Sequence, residues 1–108
     1  MAADRFEPGL PPRVIDDLLA EPRRRALLRA LVAAERPMSL DRLARTVVAG
    51  EDTTPETVER ETWLSVRETI RDEDLPKLLA TDVVRYHSET DALELSPTGD
   101  RLRERLRG

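Results

Sequence analysis

Arg60, Arg67 and Arg71 recur at spacings of seven and four residues, which brings them to one side of a helix, beside Leu64. Lys77 follows on the same segment, and Arg85 and His87 lie just beyond it. A guanidinium forks two donors onto phosphate oxygens or onto a guanine edge, so a set of this kind can hold a polyanion. Other chemistry is poorly served. There is no cysteine and His87 is the single histidine, so neither disulfides nor a thiolate or histidine metal centre can form. The sequence contains no glycine-rich phosphate loop and no strained nucleophile turn, and its carboxylates fall where the pattern predicts solvated faces. We therefore expect no enzyme, no catalytic residue, no metal, no cofactor and no evident small-molecule ligand.

The cations have a competing explanation. From Glu56 to Lys77 there are seven acids against four bases, a net charge of −3. Such a segment is a poor groove reader at low salt. Arg60, Arg67 and Arg71 then read equally as a solvated face carrying ion pairs. His87 reads as an ordinary exposed residue. Arg23, Arg24 and Arg25 form the densest basic cluster, placed where a helix start disfavours cations. They either meet phosphate or an acidic partner, or are neutralised locally by Asp16, Asp17 and Glu21.

These residues need elements to position them. Residues 1–13 are proline-rich and read as an irregular arm. Val14, Ile15, Leu18 and Leu19 make one apolar helical stripe that stops before Pro22. Pro22 opens a second helix with the stripe Leu27, Leu28, Leu31, Val32. Met38 has room for a very short strand. Ser39 then caps a helix from Leu40 to about Val48, with Gly50 closing it. Thr54-Pro55-Glu56 repeats a start signal. The helix it opens carries Trp63, Val66 and Ile70 toward the core, with a kink or restart near Asp74-Leu75 forced by Pro76. Val84, Tyr86, Leu93 and Leu95 alternate with polar residues, the signature of two strands, Val83–Tyr86 and Leu93–Ser96, around the tip Ser88-Glu89-Thr90-Asp91. Leu102 and Leu106 mark a short closing helix rich in arginine.

Helices followed by a β-hairpin is the layout of a winged helix-turn-helix, a fold that docks on nucleic acid. The expected fold is mainly α with a small β-hairpin. The arm covers residues 1–13, the winged-helix domain 14–100 and a basic C-terminal helix 101–108.

Net charge is −4, and residues 51–100 hold fourteen acids against five bases while residues 101–108 hold four arginines against one acid. Basic ends around an acidic middle suit contact between subunits as much as contact with DNA. Only one of the 18 basic residues is a lysine, Lys77. Acid-rich, lysine-poor composition fits a salt-loving organism, and a GC-rich genome would raise arginine over lysine in the same way. No apolar run is long enough to span a membrane and no signal core opens the chain, so a cytoplasmic protein is expected.

Two stretches carry a likeness. Leu18-Leu19-Ala20-Glu21-Pro22-Arg23-Arg24-Arg25, continuing to Leu31, resembles the opening of archaeal winged-helix domains. Ser39 to Ala44, then Asp74-Leu75-Pro76-Lys77-Leu78, then Val83-Val84-Arg85-Tyr86, resembles a small repressor-like winged helix-turn-helix family of halophilic archaea. Leu95-Ser96-Pro97-Thr98-Gly99 resembles the wing exit of prokaryotic repressors. The chain departs from that pattern before Leu75, where Arg71-Asp72-Glu73-Asp74 stands in place of histidines or other polar residues. Element order, charge placement and this likeness together lead us to expect a DNA-binding transcriptional regulator acting as a homodimer on double-stranded DNA. Its contacts would be Arg60, Arg67, Arg71, Lys77, Arg85 and His87, and its dimer seam residues 6–20 with Leu102 and Leu106. The alternative is a protein–protein interaction or dimerisation module on the same scaffold without DNA binding.

Overall fold

Proline punctuation sets the first two helices. The computed structural model describes residues 10–107. Residues 1–9 of the expected arm, and residues 6–9 of the expected seam, lie outside the described residues. Pro12 already opens α1, Pro12–Ala20. Glu21, ahead of Pro22, is extended and breaks the chain into α2, Pro22–Ala33. Met38–Ser39 forms β1, and Ser39 caps α3, Leu40–Ala49, by accepting from the Arg42 amide at 3.1 Å.

The next helix starts later than the sequence suggests. Pro55–Thr57 is a single 3-10 turn, the Thr54 side chain caps nothing, and Val58 is extended. Val58 packs against the core, and that packing outweighs the local start signal. α4 then runs Arg60–Thr69. It passes through a π-turn, Ile70–Asp74, into α5, Leu75–Ala80, so the rod restarts where Pro76 demands it. Pro76 offers no amide to the turn before it. The chain widens instead, and the Leu75 amide reaches back to Ile70 O.

Val84–His87 (β2) and Ala92–Leu95 (β3) form the hairpin, and β1 joins its far side to give the antiparallel order β1-β3-β2. The register pairs Val84 with Leu95, Tyr86 with Leu93 and Met38 with Leu93. α6, Pro97–Asp100, and α7, Arg103–Arg107, close the chain. The molecule is thus mainly helical with a small three-stranded antiparallel sheet, an arrangement compatible with a winged helix.

One core joins these elements. Leu18, Leu27, Leu28, Leu40, Leu43, Ile70, Leu78 and Leu93 are fully buried in it. Leu102 and Leu106 belong to the same core, and Arg29 Nε donates to Leu106 O at 3.0 Å. Those two leucines therefore face their own chain rather than an outer surface. Among the described residues Leu79 is the only large apolar side chain classed as exposed, at 43%.

The arginine cluster has a structural use. Arg24 donates to Leu18 O and Asp17 O, each at 2.9 Å, and Arg25 donates to Leu19 O at 2.6 Å. These are the carbonyls that the end of α1 leaves without helical partners. The cations sit at the start of α2 but also at the negative end of α1, which offsets the unfavourable placement. Asp74 corrects the expectation that every carboxylate is solvated. It is fully buried, and both its oxygens accept from Arg23, with Arg24 Nη1 at 3.5 Å.

Candidate nucleic-acid interface

Trp63 anchors the contact between α3 and α4. Its ring is 4% exposed, and Arg45, Arg67 and Arg60 lie 4.3, 5.9 and 6.0 Å from its centroid. Such cation–π contacts are worth about 0.5–2 kcal/mol each. Arg45 comes from α3 and is not among the residues the sequence singles out. The signal was present, since Arg45 lies off the stripe Leu40, Leu43, Ala44 on the helix preceding the rod. Its Nε is buried with no hydrogen-bond partner, so the ring is its main contact. Arg60 is exposed and makes no ion pair among the described residues.

Of the five remaining expected contacts, all but Arg85 are held by acids. Arg67 Nη1 donates to Asp41 Oδ1 at 2.6 Å, with Glu68 3.8 Å away. Arg71 Nη2 donates to Asp91 Oδ2 at 3.0 Å, tying the rod to the end of the hairpin turn. Lys77 Nζ donates to Asp17 Oδ2 on α1 at 3.0 Å. His87 is in β2, its Nε2 2.8 Å from Glu94 Oε2 on β3. Arg85 is exposed and unpaired among the described residues, and it alternates with Val84 and Tyr86, so it points away from the core. The structure brings Arg60 and Arg67 together at Trp63. Arg67 and Arg71 both act on Asp91, while Lys77 is held on α1 and His87 on β3, and Arg85 shares no contact with the group among the described residues.

Asp91 is the hinge of the rod-to-hairpin link. Its φ of 51° is tolerated by aspartate and lets one carboxylate serve two donors. The Tyr86 hydroxyl donates to Oδ1 while Arg71 holds Oδ2. The Tyr86 hydroxyl, followed by Arg71, holds the Asp91 carboxyl below the usual carboxylate range. The same hydrogen bond to Asp91 pushes the Tyr86 phenol above its ordinary value. The Asp91 contribution to stability is therefore present above about pH 4 and lost as pH falls through the depressed value. The Tyr86 contribution is present below about pH 10 and lost as pH rises through the raised value. We expect Tyr86→Phe to flatten both limbs when thermal midpoints are measured against pH. Limbs as steep as those of the wild type would show that this bond contributes nothing.

Among the described residues no group of His, Cys, Asp or Glu could hold a metal ion, and no helix is long and apolar enough to cross a membrane.

Fold and surface together define a small α-rich domain with a three-stranded sheet and an arginine-faced helix pair. Residues 16–94 match the family described as a domain of unknown function (DUF7344), and the chain belongs to that family. No curated protein and no solved structure matches the chain significantly.

Proposed function

We propose that this chain is a winged-helix regulator that binds double-stranded DNA through α3, α4 and the hairpin. The observation that carries this reading is topological. β1 lies in sequence between α2 and α3 yet pairs with β3, which pins the hairpin to the body beside the α4–α5 rod. In a winged helix-turn-helix that placement offers the rod to the major groove and the ribbon to the backbone. Arg60 supports it, because its exposed guanidinium makes no ion pair among the described residues, and Arg45 beside it on the Trp63 ring has only a longer-range attraction to Glu56.

Fluorescence anisotropy with labelled genomic fragments tests the proposal. The logarithm of affinity should fall linearly with the logarithm of salt concentration. Arg45→Ala and Arg60→Ala should each weaken binding and reduce that slope by about one unit. Circular dichroism in the same buffers checks that the acidic chain is folded at low salt. A folded protein that binds no fragment at low salt would remove the regulator from consideration.

One observation favours a second reading, an interaction module without DNA affinity. Arg67, Arg71 and Lys77 are each occupied by an aspartate, and the segment around them carries the net charge of −3. The same titration separates the two.

A further inference from the structure

The seam between α3 and α4 gathers guanidiniums. Arg45, Arg60 and Arg67 lie over the Trp63 ring, and Arg42 stands one helical turn before Arg45. The Nε atoms of Arg45 and Arg67 are buried without a hydrogen-bond partner, so packing on the ring fixes where these two side chains leave the surface. Two carboxylates from outside α4 reach into this set. Asp41 of α3 accepts from Arg67 Nη1 at 2.6 Å, and Glu56 of the 3-10 turn accepts from Arg42 Nη1 at 2.6 Å. Glu68 is 3.8 Å from Arg67, beyond hydrogen-bond reach. The Arg42 guanidinium holds the Glu56 carboxyl below the usual carboxylate range, and Arg45 acts on it at longer range.

Neither pair has much to do for the fold. The Asp41 side chain is 48% exposed and that of Glu56 61%, and ion pairs open to water add little stability. Ser39, not Asp41, caps α3. What the two acids do is occupy cations on the face assigned above to DNA. Resting on that assignment, we propose that Asp41 and Glu56 are an autoinhibitory pair: in the free protein they mask Arg67 and Arg42, and a backbone phosphate must displace them to be gripped. Arg60 stays open, which leaves one cation to make first contact. Carboxylate and phosphate oxygens compete for the same guanidinium fork, so a masked arginine gains little on reaching DNA. Changing the acid to its amide removes the charge that opposes phosphate and keeps the size of the side chain.

Fluorescence anisotropy of the full chain with labelled duplex DNA, repeated across a salt series, tests this. Asp41→Asn and Glu56→Gln should each tighten binding about fivefold near about 0.15 M salt and steepen the salt dependence by about one unit, the effect of one added phosphate contact. Adding Arg67→Gln to Asp41→Asn should cancel the gain, because Asp41 acts through Arg67. Glu104→Gln, the same charge change on α7, is the control and should leave affinity within about twofold. Circular dichroism in the same buffers checks that each variant is folded. Wild-type binding that neither amide variant tightens overturns the inference and leaves the DNA reading standing. A gain that Glu104→Gln matches, or that survives the loss of Arg67, overturns it too, since net charge alone is then at work. Wild-type binding confined to low salt, with an amide variant binding at about 0.15 M, supports it in its strongest form. A folded wild type that binds nothing even at low salt removes the DNA reading, and the inference falls with it.

Discussion

Asp74→Ala is expected to lower folding stability by about 3 kcal/mol, read from chemical denaturation. The carboxylate is fully buried under the π-turn, with Arg23 on both its oxygens and Arg24 beside it. Its hydrogen bond holds the Arg23 guanidinium above its already high ordinary pKa, so the partner stays charged when the acid is removed. Removing one member of a buried pair strands the other, at a cost of about 3–5 kcal/mol. The arginine side chains keep 22% and 12% exposure, so water relieves part of that cost and places the effect at the low end. A domain of this size has only about 5–15 kcal/mol in total. The double variant Arg23→Ala/Asp74→Ala should be less destabilised than the sum of the singles, because it leaves no stranded charge. Strict additivity would mean that the pair is not coupled.

The second large effect is expected at Gly99. A Cβ built there falls 2.1 Å from the Val83 carbonyl oxygen, a backbone atom that cannot swing aside. That oxygen also accepts from the Ser96 amide at 3.0 Å. Ser96 is buried, and its hydroxyl donates to Asp82 O while accepting from the Gly99 amide at 3.0 Å. Leu95-Ser96-Pro97-Thr98-Gly99 is therefore the clasp that binds the hairpin's exit strand to the turn that enters it. Gly99→Ala should cost about 3 kcal/mol, at the upper end of ordinary overpacking. Gly50 is the internal control. It has open space around it but sits at φ +60° and ψ −144°, a region nearly reserved for glycine, so Gly50→Ala should cost about 1–2 kcal/mol, through backbone strain and not through packing. Equal losses at both positions would show that the clasp is looser than its packing implies.

The sequence made some of this plain and hid the rest for definable reasons. Ser39, Pro22 and the Val84–Leu95 alternation act within a few residues, and the α3 cap, the α1–α2 break and the hairpin follow from them. The start of α4 was obscured because Thr54-Pro55-Glu56 satisfies a local rule, while Val58 answers to tertiary packing. Asp74 gave no sign of burial, since its partners lie 50 and 51 residues away and the π-turn that turns it inward has no periodic signature. The candidate contacts show the same limit. Helical spacing put Arg67 and Arg71 on one side of the rod, but not the carboxylates from α3 and the hairpin turn that meet them.

The pairing of Arg67 with Asp41, Arg71 with Asp91 and Lys77 with Asp17 has a thermodynamic consequence. Each aspartate behaves as a tethered counterion. A phosphate approaching one of these cations exchanges with a carboxylate of the protein instead of expelling a mobile ion into bulk solvent. Rising salt weakens the internal pair along with the external one, so the two dependences partly cancel. A surface neutralised from within would lose less of any hold on phosphate in brine than its number of cations alone predicts.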